Sequence, residues 1–302
     1  MPSVCCICGQ SKHNNPEISL HCFPKNPEVK KKWIILYWFP SYEILVSFYT
    51  FLGPAVNNLV HYWGARRSRC RQRHRQRRTK LDPFNQFFMT LTKLKLNLNI
   101  QDTAFRFQIS TTTVSRYFIT WIAFLYHELK EIAWFPTKEQ VAGTLPCAFR
   151  AKYPSTVAII DATEVFIETP SDLVLQSTSL SSYKHHNTLK FLVACTPNGA
   201  ISFVSSVYLG SVSDPTLTKE CGFLQGQEGM EGVSIMADWG FTIKDSLAKL
   251  GISLNLPPFL EGCGQLEPDE LQRGRSIASL HIHVERAIGR IKQYKFYPVF
   301  FL

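Results

Sequence analysis

Three acidic residues have the types and settings to hold a divalent cation: Asp161, Asp238 and Glu285. Asp161 closes the run STVAIID at residues 155–161, and Asp238 closes GVSIMAD at 232–238. Short apolar runs of this kind read as buried strands of a sheet covered on both faces. In open α/β sheets the carboxyl ends of such strands are where ligands bind. Glu285 follows Val284 in a helical pattern whose stripe is Ile277, Leu280, Val284, Ile288 and Ile291, so it borders the buried side. If the two strands are neighbours, Asp161 and Asp238 come close together. Two carboxylates about 4 Å apart repel by about 4 kcal/mol at an effective dielectric of 20. Such a pair needs a shared proton or a cation. Hard oxygen donors on rigid elements suit Mg²⁺ or Mn²⁺, and two such ions support in-line phosphoryl displacement. Plainer roles stay open for the same residues. Glu285 can pair with Arg286 or Arg290, and Asp161 can cap a turn before Thr163. Glu164, Asp172, Asp214 and Asp245 are candidates on composition alone.

The elements that must position these acids follow in order from about residue 151. After STVAIID comes KFLVACTPNGAISFVSSVYLG, two β-rich runs around Pro197-Asn198-Gly199, which reads as a hairpin. A helix-length segment, GVSIMAD, a helical stretch around IKDSLAKLG, a short strand near ISLNL and the helix containing Glu285 complete the series. That order predicts a mixed α/β sheet flanked by helices. Upstream, DPFNQFFMTLTKLKLNL has Asp82 as N-cap, Pro83 in the first turn and apolar residues at steps of three and four. IQDTAFRFQISTTTVSRYFITWIAF then reads as two helices across a tight turn. Ala104 stands at the crossing, Ile109 closes the turn, and Thr111–Thr113 supply the cap. This is a helix-turn-helix pattern, with Thr112, Ser115 and Arg116 placed to contact DNA.

Composition narrows the function classes. The 302 residues include 45% apolar ones, enough for a sizeable core, and nine scattered cysteines that do not form a secreted disulfide framework. The first 22 residues lack the apolar core of a signal peptide. The net charge of +10 is concentrated in residues 66–80. Arg66, Arg67, Arg69, Arg71, Arg73, Arg75, Arg77, Arg78 and Lys80 occur there without one acid. Such a run self-repels, and it suits phosphate binding or nuclear import. Residues 33–63 are strongly apolar and aromatic, but Pro54, Asn57 and Asn58 interrupt them. A buried helix or an unsettled segment is expected there rather than a membrane span, which wants about 20 apolar residues.

The motifs IIDATEVFIETPSDL, SSYKHHNTLKFLVACTPNGAISFVS, VSDPTLTKECG, MADWGF and IHVERAIGRIK occur in one order. In that order, from about Leu81 to the end, the chain resembles DDE-superfamily endonucleases of the Harbinger-like transposase group. The resemblance implies a ribonuclease H-like fold preceded by a helix-turn-helix, cutting and joining DNA with divalent metal. It places the acidic triad on Asp161, Asp238 and Glu285. It also implies DNA as partner, a homo-oligomer or a separate DNA-binding partner, no small-molecule substrate, and a nuclear location.

The opening MPSVCCICG and HCFPKNPEVKKKWI resemble the start of a THAP-type zinc finger. That likeness puts zinc on Cys5, with Gln10 where the second cysteine is usual and Cys8 as the substitute. The finger's second half is absent. Cys70 and His74 have a spacing foreign to that finger, and a zinc half-site leaves such a domain without its folding energy. Two further departures touch the nuclease. Trp239 follows Asp238 where the group usually has Arg, and the chain ends at Leu302 where relatives continue. A decayed or domesticated copy, binding DNA without catalysis, is therefore the alternative to an active endonuclease. A third reading is a membrane-tethered product built on residues 33–63. His185 and His186 lie within a group motif and read as strand-end residues. The expected organisation is a partial finger over 1–35, an apolar segment over 36–65, and a basic linker over 66–80. A helix-turn-helix region over 81–150 and the endonuclease domain over 151–302 follow.

Overall fold

A computed structural model of the chain describes residues 41–59, 81–130, 135–258 and 267–294. Cys5 and Cys8, the basic run 66–80 and the beginning of the apolar segment lie outside the described residues. The described residues fall into two compact units, one reaching residue 130 and the other running from 135 to 293.

The first unit is helical: α1 (Tyr42–Phe51), a 3-10 turn (Pro54–Asn58), α2 (Pro83–Leu96), α3 (Ile100–Phe107) and α4 (Thr111–Leu129). Local chemistry sets the ends. Asp82 caps α2 by accepting the Asn85 N–H at 3.0 Å, and Pro83 occupies the first turn, where a missing N–H costs nothing. Asn97 and Gln108 turn left-handed (φ 49° and 54°) to end α2 and α3. The cap of α4 is Ser110, whose Oγ accepts the Thr113 N–H at 3.3 Å. The sequence pattern places it among Thr111–Thr113. All four residues carry a capping hydroxyl, and the helix starts at the earliest of them. Phe87, Met89, Val114 and Trp121 form the centre of the core. The indole of the fully buried Trp121 donates to Gln86 Oε1 at 3.3 Å, so its one polar atom is satisfied. Leu45, Leu52 and Val56 are buried in the same core, so the described part of the apolar segment is structural packing. No described helix is long and apolar enough to cross a membrane.

The second unit begins with two short helices, α5 (Lys138–Gly143) and α6 (Cys147–Lys152). Their Val141 and Phe149, with Leu145 of the link between them, join this unit's core upstream of the first strand. Next come β1 (Thr156–Phe166), α7 (Leu173–Ser179), β2 (Thr188–Cys195), β3 (Ile201–Val204), β4 (Tyr208–Leu209) and α8 (Asp214–Glu220). After these follow β5 (Ser234–Met236), α9 (Lys244–Ala248), β6 (Ser253–Asn255) and the long α10 (Pro268–Lys292). The sheet order is β3-β2-β1-β5-β6, with β4 also on β2. β1, β2 and β3 pair antiparallel, and β5 and β6 extend the sheet in parallel with β1. This mixed sheet with flanking helices is the ribonuclease H-like arrangement. Every residue of β2 is buried, as expected for a strand covered on both faces. Ile277, Leu280, Val284 and Ile288 of α10 are buried in the same core, following the predicted stripe.

One expectation changes. β1 does not stop at Asp161 but continues to Phe166, because β2 pairs with it from Ile159 through Phe166. The apolar run ends at Asp161; the hydrogen-bond ladder does not.

Candidate active site

Asp161 and Asp238 are brought together by register. Ile159 of β1 pairs with Met236 of β5, and each aspartate stands two residues further along its chain. Asp161 lies within the β1–β2 ladder opposite Val193 and is part-buried. Asp238 is exposed in the turn after β5. Its Oδ1 accepts the Trp239 N–H at 2.7 Å and its carbonyl accepts the Phe241 N–H at 3.1 Å, which fixes the turn.

Glu285 arrives on α10. Two of that helix's side chains flank it and reach β1 residues. His281, one turn earlier, places Nε2 3.3 Å from the Ile160 carbonyl. Its Nδ1 stands 3.8 Å from Glu285 Oε1. Lys292, about two turns later, interacts electrostatically with Asp161 and Glu164. The Glu285 side chain is 63% exposed, and it faces His281 rather than Arg286 or Arg290.

Burial pushes the Asp161 carboxyl up, His281 and the Ala162 backbone pull it back, and the carboxylates of Asp214 and Asp238 add to the rise, for a net value of about 6. Asp214 is thus a fourth acid at the site. It opens α8, and its Oδ2 would lie 3.5 Å from a Cβ placed on Gly240, in the turn that carries Asp238. A buried lysine organises this side. Lys190 on β2 stands directly across from Glu164 on β1. Its Nζ donates to the Val212 carbonyl at 2.9 Å and lies 3.1 Å from Asp214 Oδ1 and 3.4 Å from Glu164 Oε1. Thr188 Oγ1 donates to the other Glu164 oxygen at 2.8 Å.

The remaining candidates separate cleanly. Asp172 caps α7 through the Leu175 N–H, and Asp245 sits in the first turn of α9. His185 adopts a left-handed backbone (φ 55°) in the turn before β2, and the His186 ring meets Phe166 edge-on at 5.4 Å. Both histidines shape that turn. Lys190 and His281 were not singled out from sequence. The signals were present: a lysine inside the apolar run TLKFLVAC, and a histidine four residues before Glu285.

The donor chemistry fits a divalent cation. The oxygens are hard, and the Asp161 carboxyl is driven toward its neutral form by burial first and by the Asp214 and Asp238 carboxylates second, both of which a cation would offset. Among the described residues, no three His, Cys, Asp or Glu side chains converge closely enough to hold an ion as they stand. Glu285 would have to turn from His281 toward Asp161.

In the helical unit, Thr112, Ser115 and Arg116 line an open cleft of about 580 Å³ with Thr111 and with Ile100 and Gln101 of α3. Thr112 and Arg116 are exposed, while Val114, Phe118 and Trp121 turn inward. The outer face of α4 therefore presents hydroxyls and a cation beside its N-terminus.

Residues 160–300 match the family described as DDE superfamily endonuclease, and residues 79–131 match the helix-turn-helix of DDE superfamily endonuclease. The two matches follow one another in the order helix-turn-helix, then endonuclease domain, of a single superfamily. No curated protein and no solved structure matches it.

Proposed function

We propose that the chain is a transposase-derived, Harbinger-like endonuclease that hydrolyses DNA phosphodiesters and transfers the freed strand. The observation that carries this reading is the register that sets Asp161 and Asp238 level on neighbouring strands; Glu285 stands one turn along α10 from His281, which meets the Ile160 carbonyl of the same β1. Asp161, Asp238 and Glu285 would hold Mg²⁺ or Mn²⁺. Such ions supply Lewis-acid stabilisation of the attacking and leaving oxygens. The proton of the attacking water would pass to solvent, its loss favoured by the cation those carboxylates hold. The water oxygen bonds to phosphorus as the sugar oxygen leaves and takes up a proton from solvent, and the hydroxyl so formed is the nucleophile for strand transfer. Lys190 fixes Asp214 and Glu164, so the floor of the site is set before substrate arrives.

Thr112, Ser115 and Arg116 would engage DNA from α4, and the run Arg66–Lys80 would add salt-sensitive affinity and direct the protein to the nucleus. Zinc on Cys5 and Cys8, and a homo-oligomer or separate DNA-binding partner, belong to the same reading.

A second reading, DNA binding without catalysis, is favoured by Trp239. An exposed aromatic stands beside Asp238 where a cation would attract substrate phosphate. Nicking of supercoiled plasmid by the full chain in Mn²⁺ separates the two. The first reading expects nicking that EDTA and Asp161→Asn each abolish. DNA retention without nicking selects the second.

A further inference from the structure

A second concave surface lies on α10, away from the carboxylates. It is an open cleft of about 550 Å³ between that helix and the turn joining β2 to β3. His283, Arg286, Arg290 and Gln293 line the helical wall, and Asn198 and Gly199 line the turn. The four helical residues recur at steps of three, four and three, so they share one face. It is a different face from the one carrying His281, Glu285 and Lys292.

The composition of the wall is one-sided. Among the described residues none that lines it is acidic. Among the described residues neither Arg286 nor Arg290 is ion-paired. Two unneutralised cations one turn apart repel, and the wall leaves that repulsion to be offset by something else.

The groups are also held in place. The Arg290 guanidinium donates to the Gly199 carbonyl, which uses one of its five N–H donors and orients the rest. Gly199 has a left-handed φ of 85°. A Cβ there would stand 3.7 Å from His283 Nδ1 and 3.8 Å from Arg290 Nη2, so imidazole and guanidinium converge on the turn. The His283 ring packs edge-on to Phe149, with centroids 5.7 Å apart. Gly289, between Arg286 and Arg290, has nothing among the described residues within 4 Å of where its Cβ would be, which leaves that part of the cleft open. Planar cationic donors with amides beside them are the groups that recognise phosphate oxygens.

We propose that this cleft is a phosphate-binding site distinct from the carboxylate site, occupied by a phosphodiester of the DNA backbone. DNA as the source rests on the function proposed above; the phosphate chemistry rests on the cleft alone. Small polyphosphate anions share that chemistry, so the test separates the two sources.

The full chain carrying Asp161→Asn is compared, in EDTA, with the same protein further changed by Arg286→Gln and Arg290→Gln. Affinity for a duplex oligonucleotide is measured by fluorescence anisotropy over a range of salt, and thermal midpoints are measured with and without inorganic pyrophosphate. An affinity weaker by about tenfold, with a salt slope shallower by about one for each phosphate no longer neutralised, supports a DNA phosphodiester in the cleft. Gln293→Glu, an exposed change, repeats the affinity loss without lowering the midpoint. Pyrophosphate stabilising the parent but not the double variant, with DNA binding unchanged, supports the phosphate site and assigns it to small anions. Identical salt slopes together with identical pyrophosphate response overturn the proposal. Because nothing is cleaved, an inactive nuclease leaves every arm readable.

Discussion

Asp161 and Asp238 stand level on neighbouring parallel strands, each two residues beyond the Ile159–Met236 pair. A strand pairing, rather than any contact between the side chains, therefore creates their proximity. Shifting β5 by one residue would invert its faces and separate the acids. The core residues that lock the register, Ile159, Ile235 and Met236, are fully buried. The site is thus a consequence of packing.

Burying Asp161 has a measurable cost, to which the Asp214 and Asp238 carboxylates add. The Asp161 carboxyl, ordinarily near 3.8, is pushed to about 6 in the folded protein, so the fold keeps a proton that the unfolded chain has released. The stabilising contribution is complete below about pH 4 and is lost as pH rises through 6. Asp161→Asn cannot ionise and escapes this loss. In EDTA the variant should gain up to about 3 kcal/mol on the parent between pH 4 and pH 7, read by urea unfolding. Parallel pH profiles for the two proteins would rule out the raised carboxyl.

Lys190 carries the opposite expectation. Its charge is buried between Glu164 and Asp214, and Lys190→Met leaves both acids uncompensated. Unfolding should become easier by about 3–5 kcal/mol at pH 7. The deficit should shrink when Glu164→Gln and Asp214→Asn are added, because the acids left uncompensated are then gone. An undiminished deficit would mean that the lysine contributes packing only.

The helical unit separates stability from recognition in two residues. Trp121 is fully buried and satisfied by Gln86, so Trp121→Ala should cost about 3–5 kcal/mol. Arg116 is exposed on the outer face of α4. Arg116→Ala should leave the unfolding curve within about 0.5 kcal/mol while weakening DNA binding by about 1–3 kcal/mol. Unchanged DNA affinity would remove α4 from the interface.

Much of this layout is legible in the sequence because the signals are local. Asp82-Pro83 announces α2, the 277–288 stripe announces α10, and short apolar runs announce β1, β2 and β5. What the sequence withholds is decided by partners distant along the chain. The extension of β1 past Asp161 depends on β2, which supplies the ladder regardless of side-chain polarity. Lys190 reads as an anomaly in an apolar strand until Glu164 and Asp214, 26 and 24 residues away, are seen around it. Asp214 looks like any acid opening a helix until the turn at Gly240 folds against it.

Glu285 tests the roof of the site. Its side chain is mostly exposed and its pairing with His281 is long, so Glu285→Gln should alter stability by less than about 1 kcal/mol. Plasmid nicking should nevertheless fall by roughly 10² or more, as for loss of a group acting on the reacting charges. Intact nicking would exclude Glu285 from the site.

The most direct test of the central claim is calorimetric titration of Mn²⁺ into the full chain beside its Asp161→Asn, Asp238→Asn double variant. The account predicts a binding heat in the parent that vanishes in the folded double variant. Equal heats in both proteins, or none in either, would contradict a metal site built on the β1–β5 register.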